Sequence, residues 1–193
     1  QHDLAMPFKS IRSVLDRHAR RDPDKTALYA LDQEKSISFG ELRRMADRVA
    51  RRLLDQGIGK GDRVAVLSDE SLEKLIIWLG VWRIGAVICP LNIEMNIAYV
   101  SELLKTVEPK LTLWHEDLDG AAMTRGVGGD IVRFSHWDPD AAGDAESEEF
   151  FTRLAADADG PAPDGENGPD DVACIYCTSG TTDKPKLIVF DHI

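Results

Sequence analysis

A chain of 193 residues with 43% apolar content has the size and composition of one globular domain with a real core, or slightly more. Its formal charge of −11 argues against the basic face that nucleic acid requires. The charge is uneven: residues 116–171 hold 16 acidic against 3 basic side chains, which leaves the remainder at +2.

Ser10 is placed to cap a first helix, with Ile11, Val14, Leu15 and His18 on one face and Asp22-Pro23 ending it. Residues 26–31 read as a strand, 32–35 as a turn and 37–39 as a short partner strand. Ser38 and Glu41 then have capping-box spacing, and Leu42, Met45, Val49 and Leu53 give an amphipathic helix that Gly57 stops. Its outer face carries Arg43, Arg44, Arg48, Arg51 and Arg52, a stripe that reads as a solvated helix face.

Residues 63–67 (RVAVL) form a buried-type strand, and residues 68–70 start a helix through Leu72, Leu75, Ile76, Leu79 and Trp82. A strand at 86–89, a helix at 94–107 and a strand at 111–114 follow. The apolar run 75–91, interrupted by Arg83 and Pro90, reads as a helix changing to a strand and not as a membrane span. Alternating strands and near-continuous apolar strand sequences predict an α/β fold, a parallel sheet with helices on both faces.

The acidic zone has one strand (130–134) and one short helix (148–155). Residues 157–171 are almost all Asp, Gly, Pro, Ala and Glu, and are expected to form a flexible acidic loop. Three cysteines (Cys89, Cys174, Cys177) are too few for a disulfide framework and suggest a reducing, cytoplasmic setting. Cys174 and Cys177 form a CxxC, but residues three apart in a strand face opposite ways. The five histidines (His2, His18, His115, His136, His192) show no ligand spacing, and no metal ligand is assigned. The polar N-terminus has no secretory pattern, and a start at Gln1 without Met is expected of a processed or cut chain.

The most informative stretch is 172–192, VACIYCTSGTTDKPKLIVFDH. An apolar strand (172–177) leads into Thr178, Ser179, Gly180, Thr181 and Thr182, then Lys184-Pro185-Lys186 and a second apolar run (187–190). Four hydroxyls around a glycine let side chains and backbone N–H groups converge on one anion, and two lysines add positive charge. The Walker loop is excluded, because no second glycine precedes a Lys-Ser/Thr pair. The ordinary alternative is a polar hairpin loop.

The order TSGTT-x-x-PK, with His192 six residues after Lys186, strongly resembles the phosphate loop of the adenylate-forming superfamily, which includes acyl- and aryl-CoA ligases, peptide-synthetase adenylation domains and luciferases. Residues 37–67 and the run WRIGAVICPLN (82–92) resemble two further signatures of that family, in its order. In the second, Gly85 is expected to permit close helix–strand packing and Pro90 to turn the chain off its strand. Two positions depart: the family has glycine where this chain has Asp183, and commonly where it has Leu187. A carboxylate about 4 Å from a phosphate costs up to about 4 kcal/mol at an effective dielectric near 20, and screening removes most of that if it faces solvent.

The resemblance implies that residues 1–193 are the N-terminal part of an AMP-binding domain, incomplete here. It implies an ATP-dependent acyl- or aryl-CoA ligase, an AMP-forming acid–thiol ligase that activates a small carboxylic acid as an acyl adenylate. Its cofactors are ATP, Mg²⁺ and coenzyme A, with a carrier-protein pantetheine as the other acceptor. Thr178, Ser179, Gly180, Thr181, Thr182, Lys184 and Lys186 are the expected phosphate-binding residues. No catalytic residue is assigned, and the isolated chain is expected to be inactive. The alternative is a non-catalytic binding or scaffold module whose loop Asp183 has disabled.

Overall fold

The computed structural model describes residues 7–91, 93–160, 163, 165, 167–178 and 186–192. Helix α1 (Ile11–Arg21) starts under Ser10, whose side chain accepts a hydrogen bond from the Ser13 N–H. Strands β1 (Thr26–Ala30) and β2 (Lys35–Ser38) pair as an antiparallel hairpin. Phe39, expected to end the second strand, is instead the first residue of α2 (Phe39–Asp55). The reason is local: Ser38 and Glu41 close a capping box, each side chain accepting from the other's backbone N–H. Beyond Gln56 the chain reverses at Gly57, whose φ of +75° suits glycine.

The rest builds one sheet. Its elements are β3 (Arg63–Leu67), α3 (Leu72–Arg83), β4 (Val87–Leu91), α4 (Ile97–Val107), β5 (Leu111–His115), α5 (Gly120–Met123), β6 (Asp130–Phe134), α6 (Phe150–Ala155), β7 (Val172–Thr178) and β8 (Lys186–Asp191). The strand order is β6-β5-β3-β4-β7-β8, parallel throughout except for β8, which runs antiparallel to β7. Strand β3 shows why the sheet is covered on both faces. Val64 and Val66 join a core with α1, α2, α3 and α6, while Ala65 and Leu67 join a second core with α4 and Met123 of α5. Each fully buried Val or Leu contributes roughly 1.5–3 kcal/mol.

Helices α2 and α3 pack closely where Gly80 meets Val49: a Cβ on Gly80 would lie 2.3 Å from Val49 Cγ1. Arg83, at the end of α3, is buried and ion-paired to Asp47 of α2 and Asp16 of α1.

Several boundaries differ from expectation. Helix α3 begins at Leu72, one turn late, because Ser71 accepts from the Lys74 N–H and Gln33 Oε1 accepts from the Leu72 N–H at 3.0 Å. Helix α4 begins at Ile97 because Asn96 caps it. Pro90 does not turn the chain off; it stays inside β4, opposite Val66. A proline is tolerated there because the recorded pairing of β4 with β7 is confined to Ile88 and Cys174. Gly85 does not serve helix–strand packing. It adopts φ +72° between α3 and β4, and the groups crowding it belong to Lys60 and Asn167. The short α5 escaped the sequence reading, since four residues carry no periodicity.

The arginine stripe of α2 is not simply solvated. Arg52 makes a two-pronged contact with the Asp157 carboxylate, Arg48 Nε donates to Asp159 Oδ1 at 2.8 Å, and Arg51 donates to the Ala158 and Gly160 carbonyls. Further along, Lys60 pairs with Asp171 and Asn167 donates to the Trp82 carbonyl.

Candidate functional site

Strands β7 and β8 pair antiparallel down to Thr178 opposite Lys186. The connection between them therefore begins and ends at adjacent backbone positions. It leaves the sheet at the carboxyl end of β7, the end where open parallel α/β sheets take their ligands. Ser179, Gly180, Thr181, Thr182, Asp183, Lys184 and Pro185 lie outside the described residues, as do the side chains of Thr178 and Lys186. The geometry thus fixes the two ends of the expected phosphate loop.

Beside it lies a cavity of about 370 Å³ between the ends of β3, β4 and β7, lined in part by Lys74, Trp78, Leu91 and Tyr176. Lys74 is buried and donates to Glu70 Oε1 at 2.7 Å and to the Ser68 carbonyl at 3.3 Å. Burial raises the Tyr176 phenol above its ordinary value of 10. His192 anchors the far end of the hairpin. Its N–H donates to the Pro169 carbonyl, and its ring packs edge-on to Trp82, whose indole donates to the Ala173 carbonyl at 2.8 Å. Burial lowers the His192 pKa below 6.5 against the opposing pull of Asp171 and Asp191.

The cysteines fall as the alternation requires: Cys174 joins the core under α3, and Cys177 packs against the core under α4. Burial pushes Cys89 and Cys174 up to about 12 and Cys177 to about 11, which makes them inert thiols.

A second crevice opens where the connections from β3 and β5 depart in opposite directions, the topological switch point of the sheet. Here His115 and His136 come together, with ring centroids 4.7 Å apart. Neither stood out in the sequence. The signal was the register: β5 and β6 run parallel with His115 opposite Phe134, so a residue two past the end of β6 returns to His115.

The sequence pattern of the AMP-binding enzyme family matches residues 15–193, and the chain belongs to that family. It is 28% identical to tyrocidine synthase 1 of Brevibacillus parabrevis over 195 residues, covering all of this chain and 16% of that protein. It is 29% identical to the long-chain-fatty-acid–CoA ligase FadD13 of Mycobacterium tuberculosis over 185 residues, covering 96% of this chain and 35% of the ligase. The crystal structure of ATP-bound MatB from Rhodopseudomonas palustris superposes with a TM-score of 0.73 at 31% identity, over 94% of this chain and 35% of that one. The chain thus spans about a third or less of the length of these relatives. Among the described residues, no helix is long and apolar enough to cross a membrane.

Proposed function

We propose that this chain is the N-terminal part of an AMP-forming acid–thiol ligase, with ATP held at the 178–186 loop. The observation that supports this reading is the closure of the hairpin at Thr178 and Lys186, at the carboxyl end of β7, with a hydroxyl- and lysine-rich sequence between them. In this reading the substrate carboxylate attacks the α-phosphorus of ATP, the bond to the bridging oxygen breaks, and pyrophosphate leaves. A thiol, coenzyme A or alternatively a carrier-protein pantetheine, then displaces AMP from the acyl carbon.

Thr178, Ser179, Gly180, Thr181, Thr182, Lys184 and Lys186 would hold the β- and γ-phosphates and orient the leaving pyrophosphate, an electrostatic and positional role. Mg²⁺ bound with ATP would offset the phosphate charge, and no ligand for it is assigned in this chain. The segment 157–171 would form an acidic surface loop within the domain. Three free thiols, two of them buried and Cys177 half-buried, favour a reducing, cytoplasmic setting.

ATP–pyrophosphate exchange by the full polypeptide that carries this chain, with a panel of carboxylic acids, is the test. Lys186→Ala is expected to slow exchange on the order of 100-fold, the scale of losing one positioned donor. Asp183→Gly is expected to change it little. Exchange indifferent to Lys186→Ala would sink the loop assignment. A large gain from Asp183→Gly would instead identify a non-catalytic module with a disabled loop.

A further inference from the structure

The crevice at the switch point has a composition that the phosphate loop does not explain. It encloses about 490 Å³ at the carboxyl ends of β3 and β5. Four carboxylates line it, and although Glu70 is paired with Lys74 behind the wall, Asp32, Asp69 and Asp117 face no lysine or arginine of the lining among the described residues. The field in such a crevice favours a cation.

Within it, one ligand atom each from His115, Asp117 and His136 can be chosen so that all three lie within 4.8 Å of one another. His115 Nδ1 and Asp117 Oδ2 are 3.3 Å apart. Two ligands about 2.0–2.1 Å from one tetrahedral metal are themselves about 3.3 Å apart, so this pair already has the required edge.

His115 supplies an independent observation. Its side chain is 9% exposed, yet neither ring nitrogen is well satisfied. Nδ1 meets the Asp117 carboxylate at 3.3 Å and receives a long 3.4 Å contact from the Asp117 N–H, while Nε2 has no hydrogen-bond partner among the described residues. Buried polar atoms normally find partners, so the orphan Nε2 marks a ring whose hydrogen bonding is incomplete, and the nitrogen offered to the cation is Nδ1, beside the Asp117 carboxylate. His136 is held at its other side. Gln33 Nε2 lies 2.9 Å from His136 Nδ1, and the buried Glu73 Oε2 lies 3.6 Å from the same nitrogen. Gln33 is itself fixed, since it donates to Glu73 Oε2 and accepts from the Leu72 N–H. Gln33 Nε2 donates to His136 Nδ1 in this arrangement, so ligation through Nε2 moves the proton to Nδ1, which then faces the Glu73 carboxylate 3.6 Å away.

We infer that His115, Asp117 and His136 form a binding site for a divalent transition-metal cation of the Zn²⁺ class. Two imidazoles and one carboxylate suit Zn²⁺, Co²⁺ or Ni²⁺ better than the all-oxygen shells of Mg²⁺ or Ca²⁺. None of its three ligands belongs to the 178–186 segment, and the inference stands whether or not the ligase reading does.

The test is titration of the purified full polypeptide that carries this chain with Co²⁺, read by its visible absorption, with Zn²⁺ as competitor. One equivalent is expected to bind, without a thiolate charge-transfer band, and Zn²⁺ is expected to displace it. Asp117 and His136 are exposed, so Asp117→Asn and His136→Ala can be made without opening the core. Each is expected to weaken binding by at least about the 10-fold that even outer-layer partners cost. Absence of saturable uptake by the unmodified chain overturns the assignment, as does a smaller loss in either variant. Circular dichroism of both variants separates loss of ligand from loss of fold.

Discussion

Arg83 Nε donates to Asp47 Oδ1 at 2.6 Å while Arg83 Nη2 donates to Asp16 Oδ1 at 2.9 Å, so one buried guanidinium ties α3 to both α2 and α1. Burial raises the Asp47 pKa, and the Arg83 charge opposes that rise. Arg83→Met strands a buried carboxylate and is expected to cost about 3–5 kcal/mol in urea unfolding. Adding Asp47→Leu is expected to recover part of that loss, because no buried charge is then left alone at that position. A double variant worse than the single one would show that Asp16, not Asp47, is the partner that matters.

The contact of Gly80 with Val49 predicts a steric coupling. Gly80→Ala drives a methyl into the Val49 side chain and is expected to cost about 1–3 kcal/mol. Combining it with Val49→Ala relieves the overlap, so the double variant is expected to be less destabilised than the two single losses added together. A double-mutant cycle measures this, and strict additivity would refute it.

Glu149 caps α6 with its own side chain and also accepts from the Ser135 N–H at 2.7 Å. Burial pushes its pKa up, but the hydrogen bonds from Thr152, Phe151 and Ser135 outweigh burial and hold it below 4.5. The sign follows. A carboxyl lowered in the folded state stabilises above its unfolded value and loses that contribution as pH falls through its folded value. Unfolding midpoints are expected to drop below about pH 4.5, and Glu149→Gln is expected to lose about 1 kcal/mol near neutrality and to flatten the acid limb. An unchanged acid limb would assign the loss to other carboxylates, Glu73 first among them.

The buried thiols predict slow chemistry. With Cys89 and Cys174 pushed up to about 12, native protein at about pH 8 is expected to react with a disulfide reagent far more slowly than urea-unfolded protein. Fast labelling of Cys89 in the native state would contradict its burial.

Arg48, Arg51 and Arg52 predict a local effect with little global one. The Arg48 and Arg52 ion pairs lie at or near the surface, where such a pair is worth no more than about 1 kcal/mol, and Arg51 donates to backbone carbonyls. Replacing all three with alanine is therefore expected to shift the melting temperature little while raising amide exchange at residues 157–160. High salt is expected to do the same to the unmodified chain.

What the sequence disclosed was set by range. RVAVL, the Ser38–Glu41 box and Gly57 act within one turn or strand, and each appears where the local pattern puts it. The start of α3 does not, because Gln33, from a turn far earlier in the chain, supplies the acceptor that fixes Leu72 as its first residue. Strand order is also non-local: nothing near residue 111 says that β5 crosses back to the far side of β3. The partners of the α2 arginines lie more than a hundred residues downstream, in a segment whose composition carries no periodicity. The pairing of His115 with His136 depends on parallel register, which spacing in the sequence cannot express. The proposed phosphate loop is the reverse case: its motif is local in sequence, and the structure places only its ends, Thr178 opposite Lys186.

Strand β8 closes one side of the sheet with Ile188, Val189 and Phe190 exposed, and its outer backbone edge has no neighbouring strand among the described residues. Such an edge is a template for the strand of another molecule. In a concentrated solution of residues 1–193 taken alone, this margin would then promote growth of intermolecular sheets. A single lysine at Val189, which is more than half exposed, is the simplest way to keep preparations monodisperse.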